Sequence, residues 1–192
     1  MARRGWPAAV TPLPAVLHNR PRKIVEAAER AVASARASGR SVVLAYADCG
    51  SYGALDELCA RYSVPRLPGL HCYDVFAGPD RVAAMFEAEP GTYVLTDFLL
   101  RSFDRSVLAG LGLDRYPELW DDYFGHYTRL VWLAQEPSPG LEAEAERVAG
   151  MFGLPLRRVD VGVSRLERAL AGLVAAALWP ACASCCPDRG TR

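Results

Sequence analysis

Lysine is almost missing from this 192-residue chain: Lys23 stands alone, and the remaining 21 of its 22 basic residues are arginine. Set beside the heavy use of alanine, this bias matches a GC-rich bacterial coding sequence better than phosphate recognition. The 22 basic residues balance 22 acidic ones, so formal net charge is zero and no field favours nucleic acid or an anionic membrane. Long apolar runs are also missing. The longest, Ala169 to Trp179, falls far short of the roughly 20 residues a membrane span needs. The start, Met1-Ala2-Arg3-Arg4-Gly5-Trp6, is basic, but Pro7, Pro12 and Pro14 interrupt any apolar export core. A cytoplasmic location is therefore expected, where six cysteines stay mostly as thiols.

The common catalytic signatures are absent as well. There is no Gly-x-Gly-x-x-Gly, no phosphate-binding Walker loop, no Gly-x-Ser-x-Gly elbow and no His-Glu-x-x-His. Nucleotide-dependent and serine-hydrolase mechanisms lose their usual support. What remains is a composition 51% hydrophobic and 23% charged, that of a globular protein with a sizeable core.

Alternation of short apolar runs with helical periodicities predicts an α/β fold. Ile24, Ala27, Ala28, Ala31, Val32 and Ala35 recur at helical spacing over 22–38, with Pro21 fit to open the helix and Gly39 to stop it. Ser41 to Tyr46 reads as a strand buried on both faces, followed by a turn at Asp48-Cys49-Gly50-Ser51 and a helix over 52–62. Further strands are predicted over 64–67, 92–95, 129–134 and 156–161. Helices are predicted over 80–88, from Thr96-Asp97 through Ser102, over 139–151 and over 165–179. Such alternation argues a Rossmann-like three-layer arrangement with a mainly parallel sheet. The strand–loop–helix unit near Cys49 resembles the one near Gln135, as two similar half-domains would. One domain over 5–179 is expected, with an untethered, disordered tail over 180–192.

Two short motifs carry most of the chemical information: Asp48-Cys49-Gly50 and Gly69-Leu70-His71-Cys72-Tyr73. Each follows an apolar or turn segment, and open α/β sheets bind ligands at the carboxyl ends of their strands. Cys49, His71 and Cys72 are thus candidate ligands for a transition metal, iron or zinc by donor type. A cysteine between a strand and a helix would also feel the helix dipole, which favours thiolate. His71 and Cys72 are adjacent, so in an extended segment only one of them can point at a shared centre. The plainer reading makes both cysteines small buried hydrophobes and His71 a loop cap. A third reading is metal-free thiol chemistry with Cys49 as nucleophile.

Asp48 and Asp97 are candidate proton carriers at strand ends, or simple helix caps. Arg20 could hold a carboxylate or phosphate near a helix start, with His18 beside it. His126, among Tyr123, Phe124 and Tyr127, could line a flat ligand pocket, though such aromatics more often pack a core. Cys182, Cys185 and Cys186 form Cys-x-x-Cys-Cys without a matching partner pair, and read as incidental.

Several segments taken together resemble one prokaryotic family, the DUF1638 proteins. They are Leu13 to Pro21, Tyr46-Ala47-Asp48-Cys49-Gly50, Gly69 to Gly78, Gly91 to Leu99, Leu111 to Pro117 and Tyr123-Phe124-Gly125-His126-Tyr127. They lie in order over about residues 5 to 175. The resemblance carries no activity. It implies a loose link to corrinoid, one-carbon or tetrapyrrole metabolism, hence a small molecule or metallocofactor as partner. It also implies an apolar first strand ending in an Ala-Cys-Gly-Ala turn upstream of Gly5-Trp6, which this sequence lacks and which would have offered a third thiolate.

Overall fold

The computed structural model describes residues 8–14, 17 and 20–178. Its centre is a parallel sheet of β1 (Thr92–Thr96), β2 (Arg129–Ala134) and β3 (Leu156–Asp160), in that spatial order. Val94 pairs with Val131, and Val131 with Arg157. The β2 run Leu130-Val131-Trp132-Leu133-Ala134 is wholly buried, because helices cover both faces of the central strand. Its side chains alternate between two layers. Leu130, Trp132 and Ala134 join Leu95, Phe103 and the apolar face of α8 (Pro139–Phe152), while Val131 and Leu133 join Val94 against Tyr73, Ala77, Met85 and Phe86. This is the three-layer α/β arrangement that the sequence predicts.

The two layers draw on helices that the sequence punctuates clearly. Pro79 opens α4 (Pro79–Ala88), and Ser138 caps α8 through Leu141 N–H. Thr96 caps α5 (Asp97–Arg101) in the same way, its hydroxyl accepting Leu99 N–H. The helical path then loosens through a π-turn at Asp104–Leu108 into α6 (Ala109–Leu111). The loop-rich stretch predicted near 111–117 leads to a 3₁₀ turn, Pro117–Leu119, and α7 (Trp120–Phe124).

The remaining part packs α1 (Pro21–Ala37) on α2 (Ala54–Tyr62) through Ile24, Ala28, Val32, Leu55 and Leu58. α9 (Ser164–Leu178) returns to pack on α3 (Cys72–Ala77), a helix of 6 residues that the sequence reading passes over. Among the described residues, no helix is long and apolar enough to cross a membrane.

Two strand assignments need correction. Residues 41–46 and 64–67 form no ladder; they meet at one parallel bridge, Leu44 with Arg66. Pro65 and Pro68 lack the N–H donors a ladder requires, and Gly69 turns away at φ 118°. Hydrogen bonds from Leu44 N–H to the Pro65 carbonyl and Leu67 N–H to the Leu44 carbonyl nonetheless keep the two segments side by side. The likeness of the two halves holds in connectivity: Leu44 to α2 to Arg66, and β2 to α8 to β3, are both parallel crossovers.

Candidate functional site

The segment after Leu44 and the segment after Arg66 continue as neighbours past the bridge. Asp48 N–H donates to the Gly69 carbonyl at 3.0 Å and Cys49 N–H to the Leu70 carbonyl at 2.8 Å. This register brings the two cysteine motifs together. The Cys72 thiol, at the first residue of α3, hydrogen-bonds to Cys49. That bond, then burial, then the charge of Cys49 push the Cys72 thiol well above its ordinary range. The two cysteines thus form one thiol pair.

The turn that carries Cys49 is unusual. Cys49, Gly50, Tyr52 and Gly53 all have positive φ, at 48°, 84°, 53° and 88°. For Cys49 and Tyr52 this left-handed backbone costs about 1–2 kcal/mol each. What holds the turn is Asp48. Its carboxylate accepts from the Ser51 hydroxyl at 2.5 Å, Tyr52 N–H at 3.0 Å and Gly53 N–H at 3.0 Å. Burial would raise its pKa, but those hydrogen bonds and the Arg66 charge outweigh it and hold the carboxyl below its usual range. Asp48 therefore builds the turn as a fixed carboxylate, and the amides at the entry to α2 point at it. The helix-dipole argument for Cys49 needs correction accordingly: α2 begins at Ala54, and Asp48 takes the turn amides that precede it.

Asp74 does similar work on the other motif. It is buried on α3, and its Oδ2 accepts Leu70 N–H at 2.8 Å and His71 N–H at 3.1 Å. A Cβ at Gly69 would lie 2.9 Å from Asp74 Cβ, so the loop closes only over glycine there. Two phenols flank the thiols. Burial first, then the charges of the cysteines, raise the pKa of Tyr46; burial, then Cys72, Tyr93, Tyr127 and Cys49, raise that of Tyr73. Tyr46, Tyr73, Ser51 and Asp74 were not among the candidate site residues, although all four lie in or beside the two motifs.

His71 is exposed, extended at φ −132°, and meets Tyr73 edge-on at 5.9 Å. Among the described residues no three His, Cys, Asp or Glu side chains converge as a metal-binding group. Asp97 is buried between β1 and β2, its carboxylate accepting from Trp132 Nε1 at 2.9 Å, Gln135 N–H at 3.1 Å and Glu136 N–H at 2.7 Å. It fastens the sheet. His126 is exposed and stacks on Tyr127 at 4.2 Å, while Tyr93, Phe124 and Phe152 pack beneath as core. Arg20 is exposed at the N-cap of α1, and the next residue, Pro21, would sit 3.4 Å from a Cβ at Gly50. His18, Cys182, Cys185, Cys186 and the tail over 180–192 lie outside the described residues. A cleft of about 420 Å³ between α1, residues 40–44 and α9 touches none of the candidates.

The fold and this thiol pair define a class: a Rossmann-like α/β protein with two hydrogen-bonded cysteines, one in a turn and one at the start of a helix. The chain belongs to the DUF1638 family, described as a protein of unknown function, which it matches over residues 12–170. Both cysteine motifs, Asp97 and His126 fall inside that match. No curated protein and no solved structure matches the chain.

Proposed function

We propose that Cys49 and Cys72 are the working groups of this protein and bind a soft or borderline transition metal, iron or zinc, as a pair of thiolates. The observation that carries the reading is the hydrogen-bonded contact between the two thiols at the end of a strained, carboxylate-built turn. Two adjacent thiols form a site where a thiophilic cation can displace both thiol protons, which leave to solvent. Structural zinc sites use four protein ligands and catalytic ones three. With two, the metal would keep open positions for a small molecule or a metallocofactor's own ligands. That suits handling of a metal or cofactor, or catalysis by polarising a bound substrate. Asp48 holds the turn and Tyr46 and Tyr73 wall the site; no proton-carrying role for Asp48 or Asp97 enters.

Metal analysis of the untagged chain purified without oxygen tests the reading. One equivalent of iron or zinc is expected, lost in Cys49→Ser and in Cys72→Ser and retained in His71→Ala. Cobalt substitution should add a thiolate-to-metal absorption band that vanishes in the same two variants. Absence of stoichiometric metal from the wild-type chain, before and after incubation with ferrous or zinc ions, would overturn it.

A second reading, metal-free thiol chemistry with Cys49 as nucleophile, is favoured by the same contact, in which the Cys72 thiol stays protonated and hydrogen-bonds to Cys49. It expects a Cys49–Cys72 disulfide to form on mild oxidation and to reopen with a dithiol, in a chain that takes up no metal.

A further inference from the structure

Against α3, the helix that carries Cys72, lies a cleft of about 400 Å³ lined in part by Asp74 and Val75. Its floor is Pro68, Gly69 and Asp74, and Arg165 and Arg168 stand on the first turns of α9 at its edge. Both arginines are exposed, and neither makes an ion pair or side-chain hydrogen bond among the described residues. This sets them apart from Arg61, Arg66, Arg147 and Arg158, each of which meets a carboxylate within 2.6 Å. The acids around them are engaged or turned outward. Asp74 already receives two backbone N–H groups, Asp80 is exposed in the first turn of α4, and Glu167 on α9 has an interaction of its own.

The backbone is shaped to seat one of the guanidiniums. Gly78 lies at φ 91°, and a Cβ there would come 3.2 Å from Arg165 Cζ. Arg165 therefore rests against bare backbone at the junction of α3 and α4. The walls Leu67, Val75 and Ala169 are apolar, which strengthens electrostatic attraction inside the cleft. They belong to the same apolar cluster as Cys49, so cleft and thiol pair share a wall. Two helices of 10 and 15 residues, α4 and α9, start here, with Pro79 of one and Arg165 of the other lining the cleft.

We infer that this cleft binds a small molecule carrying an oxyanion, a carboxylate or phosphate, clasped by Arg165 and Arg168. Guanidinium forks match such groups in bidentate geometry, which ammonium groups cannot. The site goes beyond the metal reading and does not depend on it.

Calorimetric titration of the full-length chain with inorganic phosphate, pyrophosphate and succinate tests the inference, the first two probing phosphate and the third carboxylate. Saturable one-site binding of at least one probe is expected. Arg165→Gln and Arg168→Gln should each weaken it about tenfold, and the double variant should abolish it. Arg165→Lys should weaken it less than Arg165→Gln but not match the wild type. Both side chains are exposed, so circular dichroism should show every variant folded. Cys49→Ser/Cys72→Ser should bind the probe as tightly as the wild type, so loss of metal binding and loss of anion binding are read separately. No saturable binding of any probe, or unchanged affinity in the double arginine variant, would overturn the inference.

Discussion

Asp48 shows how a single carboxylate can hold the turn that carries a candidate site residue. Three donors converge on it, and together they hold Cys49 in a left-handed backbone that a cysteine does not otherwise favour. Asp48→Asn removes the charge and turns one oxygen into an amide that faces N–H donors. A loss of about 1–3 kcal/mol is expected, since hydrogen bonds to charged groups are the stronger kind. The pH dependence has a definite sign. The folded-state pKa lies below the ordinary value of 3.8, so the contribution is present above that value and lost as pH falls through the lower folded one. Urea unfolding at pH 7 should therefore separate wild type from Asp48→Asn, and the gap should shrink below about pH 4. A constant gap from pH 7 to 3 would show that shape, not charge, is what Asp48 supplies. At this scale the sequence was informative in part. Both cysteine motifs follow an apolar or turn segment, so the meeting of Cys49 and Cys72 at the ends of neighbouring segments was legible. That Asp48 would spend its lone pairs on its own turn was not, because a carboxylate's donors depend on backbone angles that residue names do not encode.

At the scale of elements, legibility follows how far neighbouring segments decide the outcome. The β2 boundaries follow from Arg129-Leu130-Val131-Trp132-Leu133-Ala134 alone, since an apolar run of that length has few other places to go. Residues 41–46 have the same appearance, but their partner segment carries Pro65 and Pro68, and one bridge is all the pair can form. The lesson is that a strand is a property of two segments. α3 was missed because a helix of 6 residues lacks the repeat that reveals longer ones. The Asp97 fastening depends likewise on two elements, as its carboxylate oxygens reach from the start of α5 to Trp132 on β2 and to Gln135 and Glu136 just past it. Asp97→Ala should leave the buried Trp132 Nε1–H and the part-buried N–H groups of Gln135 and Glu136 without their acceptor and cost about 2–3 kcal/mol, while Trp132→Phe, which removes one donor, should cost about 1–2 kcal/mol. The double variant should fall short of the sum, because both changes break one network. Urea midpoints of the four chains provide the check, and strict additivity would contradict the network.

For the whole molecule, the distribution of backbone hydrogen bonds predicts an uneven stability. Central β2 is paired on both sides and buried on both faces, so its amides exchange only when the sheet itself opens. The thiol-bearing half rests on a sparser set: the bridge at Leu44, the bonds from Asp48 and Cys49 to Gly69 and Leu70, and the small cluster of Ala47, Leu67, Val75 and Leu173. Its turn also stores strain at Cys49 and Tyr52 that the sheet does not carry. Native-state hydrogen exchange should therefore show the amides of Val131 to Ala134 protected near the global limit. Those of Leu44, Asp48, Cys49 and Leu67 should exchange through openings that cost clearly less. If a thiophilic metal joins Cys49 to Cys72, adding it should raise protection at Asp48, Cys49 and Leu67 and leave the β2 amides unchanged, because a ligand stabilises the openings that break its site. Equal protection in both halves of the metal-free chain would mean that the single bridge is backed by packing strong enough to unite them. The thiol pair would then sit on a scaffold as rigid as the sheet, and its strained turn would be held ready for a ligand rather than ordered by one.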